Sequence, residues 1–119
     1  MGFEQLNGET IIKFVTNDDE MIIETKDKIF TMYSPDVRYG NDVDVWLEDV
    51  CGDLSDVMDS PILFAEEVSN KDTLTDKTWT FYKLSTIKGS VTLRFCGRSN
   101  GYYCERLSVY ITNKGEENV

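Results

Sequence analysis

The stretch TWTFYKLSTIKGSVTLRF, residues 78 to 95, decides the fold class, because it contains two strand-like runs joined by a turn. Both runs are rich in β-branched and aromatic residues, and the polar segment TIKG (86–89) separates them. A third run of the same kind, YYCERLSVYIT (102–112), follows after GRSNG (97–101). This composition and spacing predict three consecutive strands.

The same pattern extends toward the amino terminus. TIIKFVT (10–16), MIIET (21–25) and KIFTMY (28–33) are short apolar runs separated by polar turns, and they predict an antiparallel meander. In DVDVWLEDV (42–50), aliphatic residues alternate with polar ones, which predicts a further strand with one face in water. ILFAEEV (62–68) changes from apolar to acidic and is interpreted as another strand.

One segment breaks the period of two. In GDLSDVMDSPI (52–62), Asp53 is a plausible N-cap, and Pro61 prevents continuation of a helix. The expected fold is therefore mostly β (α+β): an antiparallel, strand-rich single domain over residues 1–119. It has one short helix near residues 53–59, and residues 113–119 are expected to fray.

The last two predicted strands raise the question of pairing. A two-residue turn at Asn100-Gly101 would place Leu93 opposite Ser108, whereas a three-residue loop over Ser99–Gly101 pairs Leu93 with Leu107. The three-residue loop keeps one apolar face, so we expect a hairpin in this register. It would also pair Val91 with Val109 and Cys96 with Cys104.

The three cysteines have several possible roles. An odd number of cysteines and the absence of an export signal favour reduced thiols in a reducing cytosol. Ordinary half-buried thiols, a disulfide and a structural zinc site all stay open. The zinc site would use Cys51, Cys96 and Cys104 with Asp42 as an oxygen ligand, although the usual closely spaced cysteine pair is missing.

The acidic residues are concentrated in the middle of the chain. The formal net charge is -10, and no Lys or Arg occurs between Arg38 and Lys71. The segment contains nine carboxylates: Asp42, Asp44, Glu48, Asp49, Asp53, Asp56, Asp59, Glu66 and Glu67. They are either a solvated face or a surface that attracts a basic protein in the manner of a nucleic-acid mimic.

Other function classes are disfavoured by composition. The chain has no histidine, so the commonest general base is missing and an enzyme is not expected. The negative charge opposes direct binding to nucleic acid, and aromatic residues such as Trp79 and Phe81 are therefore interpreted as core or cross-strand residues. No apolar run is long enough to cross a membrane, and a cytoplasmic location in a bacterial host is expected.

Three stretches together carry a resemblance: GDLSDVMDSPILFAEEVS (52–69), TWTFYKLSTIKGSVTLRF (78–95) and SNGYYCERL (99–107). In these stretches the chain resembles a phage and prophage family of small acidic proteins with no assigned biochemistry. It is also similar to type II anti-CRISPR proteins. That similarity implies binding to a type II CRISPR effector nuclease, whose DNA and RNA channels are strongly positive.

The resulting hypothesis is an anti-CRISPR nuclease inhibitor, monomeric or weakly dimeric, that acts through the acidic segment and prevents target DNA loading or cleavage. Tyr102, beside the last predicted turn, would supply an aromatic anchor at the interface. The alternative is a zinc-stabilised phage accessory protein that binds another basic host protein. A small hydrolase is the weakest reading.

Overall fold

The predicted strands form two antiparallel sheets of four strands each in the computed structural model. The structure describes residues 2–38, 40, 43–72, 74, 77–99 and 106–114. The strands are β1 (Ile11–Thr16), β2 (Glu20–Thr25), β3 (Lys28–Tyr33), β4 (Val43–Cys51), β5 (Phe64–Asp72), β6 (Lys77–Thr86), β7 (Gly89–Ser99) and β8 (Ser108–Asn113). The mostly-β prediction is confirmed.

The strand order shows which parts of the chain become neighbours. The first sheet has the order β1-β2-β3-β8, and the second sheet has the order β4-β7-β6-β5. The meander β1-β2-β3 is confirmed, with Ile23 opposite both Phe14 and Phe30. β6 and β7 also pair as expected from the opening stretch, with Leu84 opposite Val91.

The expected hairpin between the last two strands is wrong. β8 pairs with β3 in the first sheet, where Val109 lies opposite Met32. Both sides of β7 are already occupied, because Leu93 lies between Val50 of β4 and Tyr82 of β6. Pairing with β4 gives β7 a second apolar neighbour, so the long-range partner replaces the nearest strand in sequence.

Helical structure in the described residues is limited to three single turns. The helix predicted near residues 53–59 is a 3-10 helix over Leu54–Val57, capped by Asp53, whose side chain accepts a hydrogen bond from the backbone N–H of Ser55. A second 3-10 helix covers Phe3–Leu6, and α1 covers Pro35–Arg38. These two turns were not predicted, because each is a single turn without an extended apolar period.

One hydrophobic core lies between the inner faces of the two sheets. Ile23 and Phe30 enter it from the first sheet, and Leu93 and Phe95 enter it from the second. Tyr82 is fully buried at its centre and makes edge-to-face contacts with Phe3 and Phe95, with ring centroids 5.1 and 5.7 Å apart. The outer faces of both sheets are left for solvent or partners.

Leu107 fixes the entry into β8. Its side chain is buried, and its backbone N–H donates a 3.2 Å hydrogen bond to the Tyr82 hydroxyl. Tyr82 therefore belongs to the second sheet while its polar atom holds the chain that leads into the first sheet. Leu93 and Leu107, which were expected on one apolar face, are both buried.

Candidate functional site

The candidate site begins with the acidic residues of β4, which is an edge strand of the second sheet. Asp44 and Asp49 are exposed, and the ladder to β7 shifts between Leu47 and Asp49. This irregularity makes Glu48 the extra residue of a bulge, a feature that re-aims side chains at a sheet edge. Glu48 is consequently directed onto the outer face of the sheet, where it meets β6 and β7.

Glu48 is already engaged on that face. Its Oε1 accepts a 3.1 Å hydrogen bond from the indole N–H of Trp79 and lies 2.9 Å from Nε of Arg94. Nε of Arg94 is buried, and its N–H is not aligned with the carboxylate, so the contact is an ion pair without a good hydrogen bond. Asp49 is less engaged, since it is 54% exposed and its Oδ2 lies 4.0 Å from Nη2 of Arg94.

The acidic residues continue in the chain that follows β4. Asp53 caps the 3-10 helix, and the hydrogen bond from the backbone N–H of Ser55, followed by that from its hydroxyl, lowers the pKa of Asp53. Asp59 is exposed and adopts a left-handed backbone with φ of 60°. We call the set Asp44, Asp49, Asp53, Asp56 and Asp59 the acidic edge.

Glu66 and Glu67 do not join this set, because they lie on β5 at the opposite edge of the same sheet. Glu67 lies opposite Tyr82 on the inner face, and its side chain is only 11% exposed. Burial raises the pKa of Glu67, and Arg106, with Nη1 3.6 Å from Oε2, opposes the shift. Its neighbour Glu4 raises the pKa further.

Basic residues separate the acidic residues of β4 from those of β5. β6 and β7 form the middle of the sheet and supply Arg94, Arg98, Lys77 and Lys83. Across the ladder, Arg98 lies opposite Asp44, and Lys83 lies opposite Glu66. The acidic block of the sequence is therefore not one continuous surface in the fold, and opposite charges alternate across the sheet.

The predicted zinc ligands are only partly within the described residues. Asp42 and Cys104 lie outside them, as does the predicted anchor Tyr102. Cys51 is exposed and Cys96 is buried. Cys51 lies opposite Thr92, four residues from Cys96 on β7, which places the two thiols about 13 Å apart along the sheet.

Cys51 and Cys96 therefore do not fit one zinc ion. Within the described ranges, no group of three or more Cys, Asp or Glu side chains is placed to hold a metal. The expected pairing of Cys96 with Cys104 cannot be a direct ladder pair on β7, because Trp46 and Trp79 occupy both cross-strand positions of Cys96. A structural zinc site that includes Cys104 and Asp42 stays a prediction, because those two residues lie outside the described ranges.

The outer face of the second sheet also carries aromatic side chains, which the sequence had suggested as core or cross-strand residues. On β6, Thr78 and Thr80 face inward and are buried, whereas Trp79 and Phe81 face outward and are half-buried. The alternation in TWTF was the available signal, because the threonines and the aromatic residues must occupy opposite faces. Trp46 lies on the same face, across Cys96 from Trp79.

A shallow groove of about 390 Å³ opens on this face. Five side chains line it: Glu48, Asn70, Trp79, Phe81 and Arg94. A second hollow of about 210 Å³ adjoins it through Phe81 and Arg94 and is also lined by Asp49, Cys51 and Thr92. We call the larger of the two the outer groove.

The fold and site thus define a two-sheet β protein with an acidic edge strand and an aromatic groove on one outer face. The chain belongs to the family described as Domain of unknown function (DUF7448), whose model matches residues 4–109. Comparison with curated proteins and comparison with solved structures each found no match. Among the described residues, no helix has the length and apolar character of a membrane span.

Proposed function

We propose that this protein is a binding module, without catalytic activity of its own, that docks its acidic edge on a basic protein surface. The observation that carries the proposal is the exposure of Asp44, Asp49 and Asp59 on a stretch of chain without any Lys or Arg. Exposed carboxylates of this kind attract positive protein surface at long range and raise the association rate.

A type II CRISPR effector nuclease is the partner that the resemblance to anti-CRISPR proteins favours. Its channels for guide RNA and target DNA are lined by Lys and Arg, and arginines read the protospacer-adjacent motif. A carboxylate array docked in such a channel would compete with the phosphates of target DNA. Binding in the cytoplasm of an infected host would then prevent DNA loading or cleavage.

The carboxylates differ in how far contacts within the protein already use their charge. Glu48 and Glu67 each contact an arginine of the protein itself, which leaves less of their charge for a partner. Asp44, Asp49 and Asp59 are exposed and keep more of their charge available to a partner than Glu48 and Glu67 do.

A DNA cleavage assay tests the partner. The loaded nuclease is incubated with an excess of the protein before target DNA is added, and inhibition that weakens as the salt concentration rises is expected. Undiminished cleavage at every excess would rule out the nuclease. A pull-down from host lysate at low and high salt then separates the alternative, another basic host protein, from no basic partner at all.

Two charge-matched variants test the surface. Asp44→Asn/Asp49→Asn/Asp59→Asn removes three charges from the acidic edge, and Asp27→Asn/Glu66→Gln/Asp72→Asn removes three charges elsewhere. Asn suits position 59 because it tolerates the left-handed backbone. The first variant should weaken binding about tenfold or more, equivalent to about 1.4 kcal/mol, and the second much less. Equal weakening by both would refute a localised acidic interface.

A further inference from the structure

The outer groove combines aromatic side chains with polar groups that keep unused hydrogen-bonding capacity. The amide of Asn70 makes no hydrogen bond within the described part of the chain, and the terminal nitrogens of Arg94 make none there either, although Nη2 lies 4.0 Å from Oδ2 of Asp49. Glu48 uses Oε1 for both of its contacts, so Oε2 is open to a ligand. Donors and acceptors thus stand beside the half-buried rings of Trp79 and Phe81.

The charges of the groove select a ligand without net charge. Glu48 and Asp49 both lie within 4.0 Å of the Arg94 guanidinium, so the groove offers no free positive charge to an anion, and its carboxylates already share an arginine, which weakens their attraction for a cation. Phosphate-containing ligands are further opposed by the net charge of -10 and by Asp49 beside the groove. A wholly apolar ligand would cover Glu48, Arg94 and Asn70 and leave their polar groups unsatisfied, which opposes binding.

The remaining class is a neutral molecule with apolar faces and a polar rim. A pyranose sugar has this form: the C–H groups of one ring face pack on the electron-rich face of an aromatic side chain, and the hydroxyls project around the edge. Hydroxyls both donate and accept, which suits the mixture of carboxylate, guanidinium and amide. The adjoining hollow shares Phe81 and Arg94 with the outer groove, so an occupant longer than one ring can span both.

We propose that the outer groove binds a neutral oligosaccharide, with pyranose rings on Trp79 and Phe81 and hydroxyls bonded to Glu48, Asn70 and Arg94. At about 390 Å³ the groove lies within the usual range of small-molecule sites, about 300–1,000 Å³. The outer groove itself is lined by no residue of the acidic edge, although Asp49 of that set lines the adjoining hollow.

Tryptophan fluorescence gives a direct readout, because both tryptophans of the chain, Trp46 and Trp79, lie on this face. The full chain is titrated with hexamers of β-1,4-linked glucose, xylose, mannose and N-acetylglucosamine up to about 10 mM, enough to detect a Kd of about 1 mM. A saturable change with at least one hexamer is expected. No change with any of the four overturns the proposal.

Single substitutions test whether the oligosaccharide binds in the outer groove. Phe81→Ala and Asn70→Ala should each weaken binding about threefold to tenfold, while Tyr110→Ala, on the exposed outer face of the first sheet, should leave it unchanged. Thermal melts confirm that each variant is folded. Binding that survives Phe81→Ala in a folded protein, or a fluorescence response to oligothymidylate in place of the sugars, would refute the proposal and would in the latter case indicate base stacking.

Discussion

The two edge strands of the second sheet carry the same kind of residue in opposite surroundings. On β4, Asp44 and Asp49 stand exposed. On β5, Glu67 is partly buried, and its backbone N–H donates a 3.1 Å hydrogen bond to Oε2 of Glu4. Similarly, the N–H of Ala65 donates to Oδ1 of Asn7, so side chains from around the first 3-10 helix cover this border.

Acidic residues alone therefore do not define a binding surface. A carboxylate that is solvated keeps its charge available for a partner, whereas a carboxylate that is partly buried pays a desolvation cost and affects stability instead. The β4 border is therefore the candidate interface, whereas the β5 border is covered by other parts of the chain and contributes to stability. Four changes test this distinction.

The largest expected effect comes from Phe95→Ala, because both edges depend on the core beneath β7. Phe95 is fully buried and packs edge-to-face on Tyr82. Its truncation should lower the free energy of unfolding by about 3–5 kcal/mol in chemical denaturation. Phe81→Ala, on the outer face of the neighbouring strand, should cost less than half as much, and equal costs would contradict the inward and outward assignment.

The second largest effect is expected at the turn after β4, which leads into the segment that contains Asp53, Asp56 and Asp59. Gly52 has φ of 107°, and a Cβ added there would lie 2.4 Å from the carbonyl oxygen of Ser90. Gly52→Ala should therefore destabilise the protein by about 1–3 kcal/mol or more. Gly8→Ala is the matched control, because Gly8 also has positive φ but has no atom within 4 Å of the added Cβ. The control should cost less.

Glu67→Gln separates the structural border from the interface through its pH dependence. Since the pKa of Glu67 is raised in the folded protein, its ionised form costs stability at neutral pH, and that cost disappears as the pH falls through the raised pKa toward 4.5. Glu67→Gln should be more stable than the parent at pH 7. The advantage should shrink on acidification, as measured by thermal melts from pH 7 to pH 4.5.

The control for this experiment is Glu66→Gln, which makes the same charge change one residue away on the outer face. Its effect on the melting temperature at pH 7 should be smaller. A Glu67→Gln protein that melts below the parent at pH 7 would show that the ion pair with Arg106 outweighs the burial of the carboxylate.

The smallest effect is expected from Cys51→Ser at the end of β4. The thiol is exposed and lies far from Cys96, so the change in the free energy of unfolding should be within about 0.5 kcal/mol. The zinc content of the purified protein, measured by elemental analysis, should be the same before and after the substitution. Loss of bound zinc in this variant would restore Cys51 to the predicted metal site.

Local pattern accounted for much of the fold. The period of two placed β1, β2, β3 and β4 within a residue or so of their observed ends, and the cap at Asp53 was readable from its position before Leu54. The pairing partners of the strands were predicted less well. The expectation that β8 would follow β7 in one sheet was wrong, because contacts between distant segments choose among strands that look alike in sequence.

For the candidate site, the residue types were readable but their grouping was not. The acidic block between Arg38 and Lys71 includes the acidic residues of β4 together with Glu66 and Glu67 of β5, and the sequence gives no sign that the two groups lie apart. Trp79 and Phe81 were likewise visible but were assigned to the core or to cross-strand pairs. Which face each occupies depends on Thr78 and Thr80 being buried, and no local propensity specifies that.

By itself the sequence determined the strands, their alternation, the lack of histidine and the concentration of carboxylates between residues 39 and 70. The tertiary structure alone decided that β6 and β7, with Arg94 and Lys83, lie between the two acidic strands. The physical reason is that alternation is a property of neighbouring residues, whereas strand order is set by the burial of apolar faces from segments far apart in the chain.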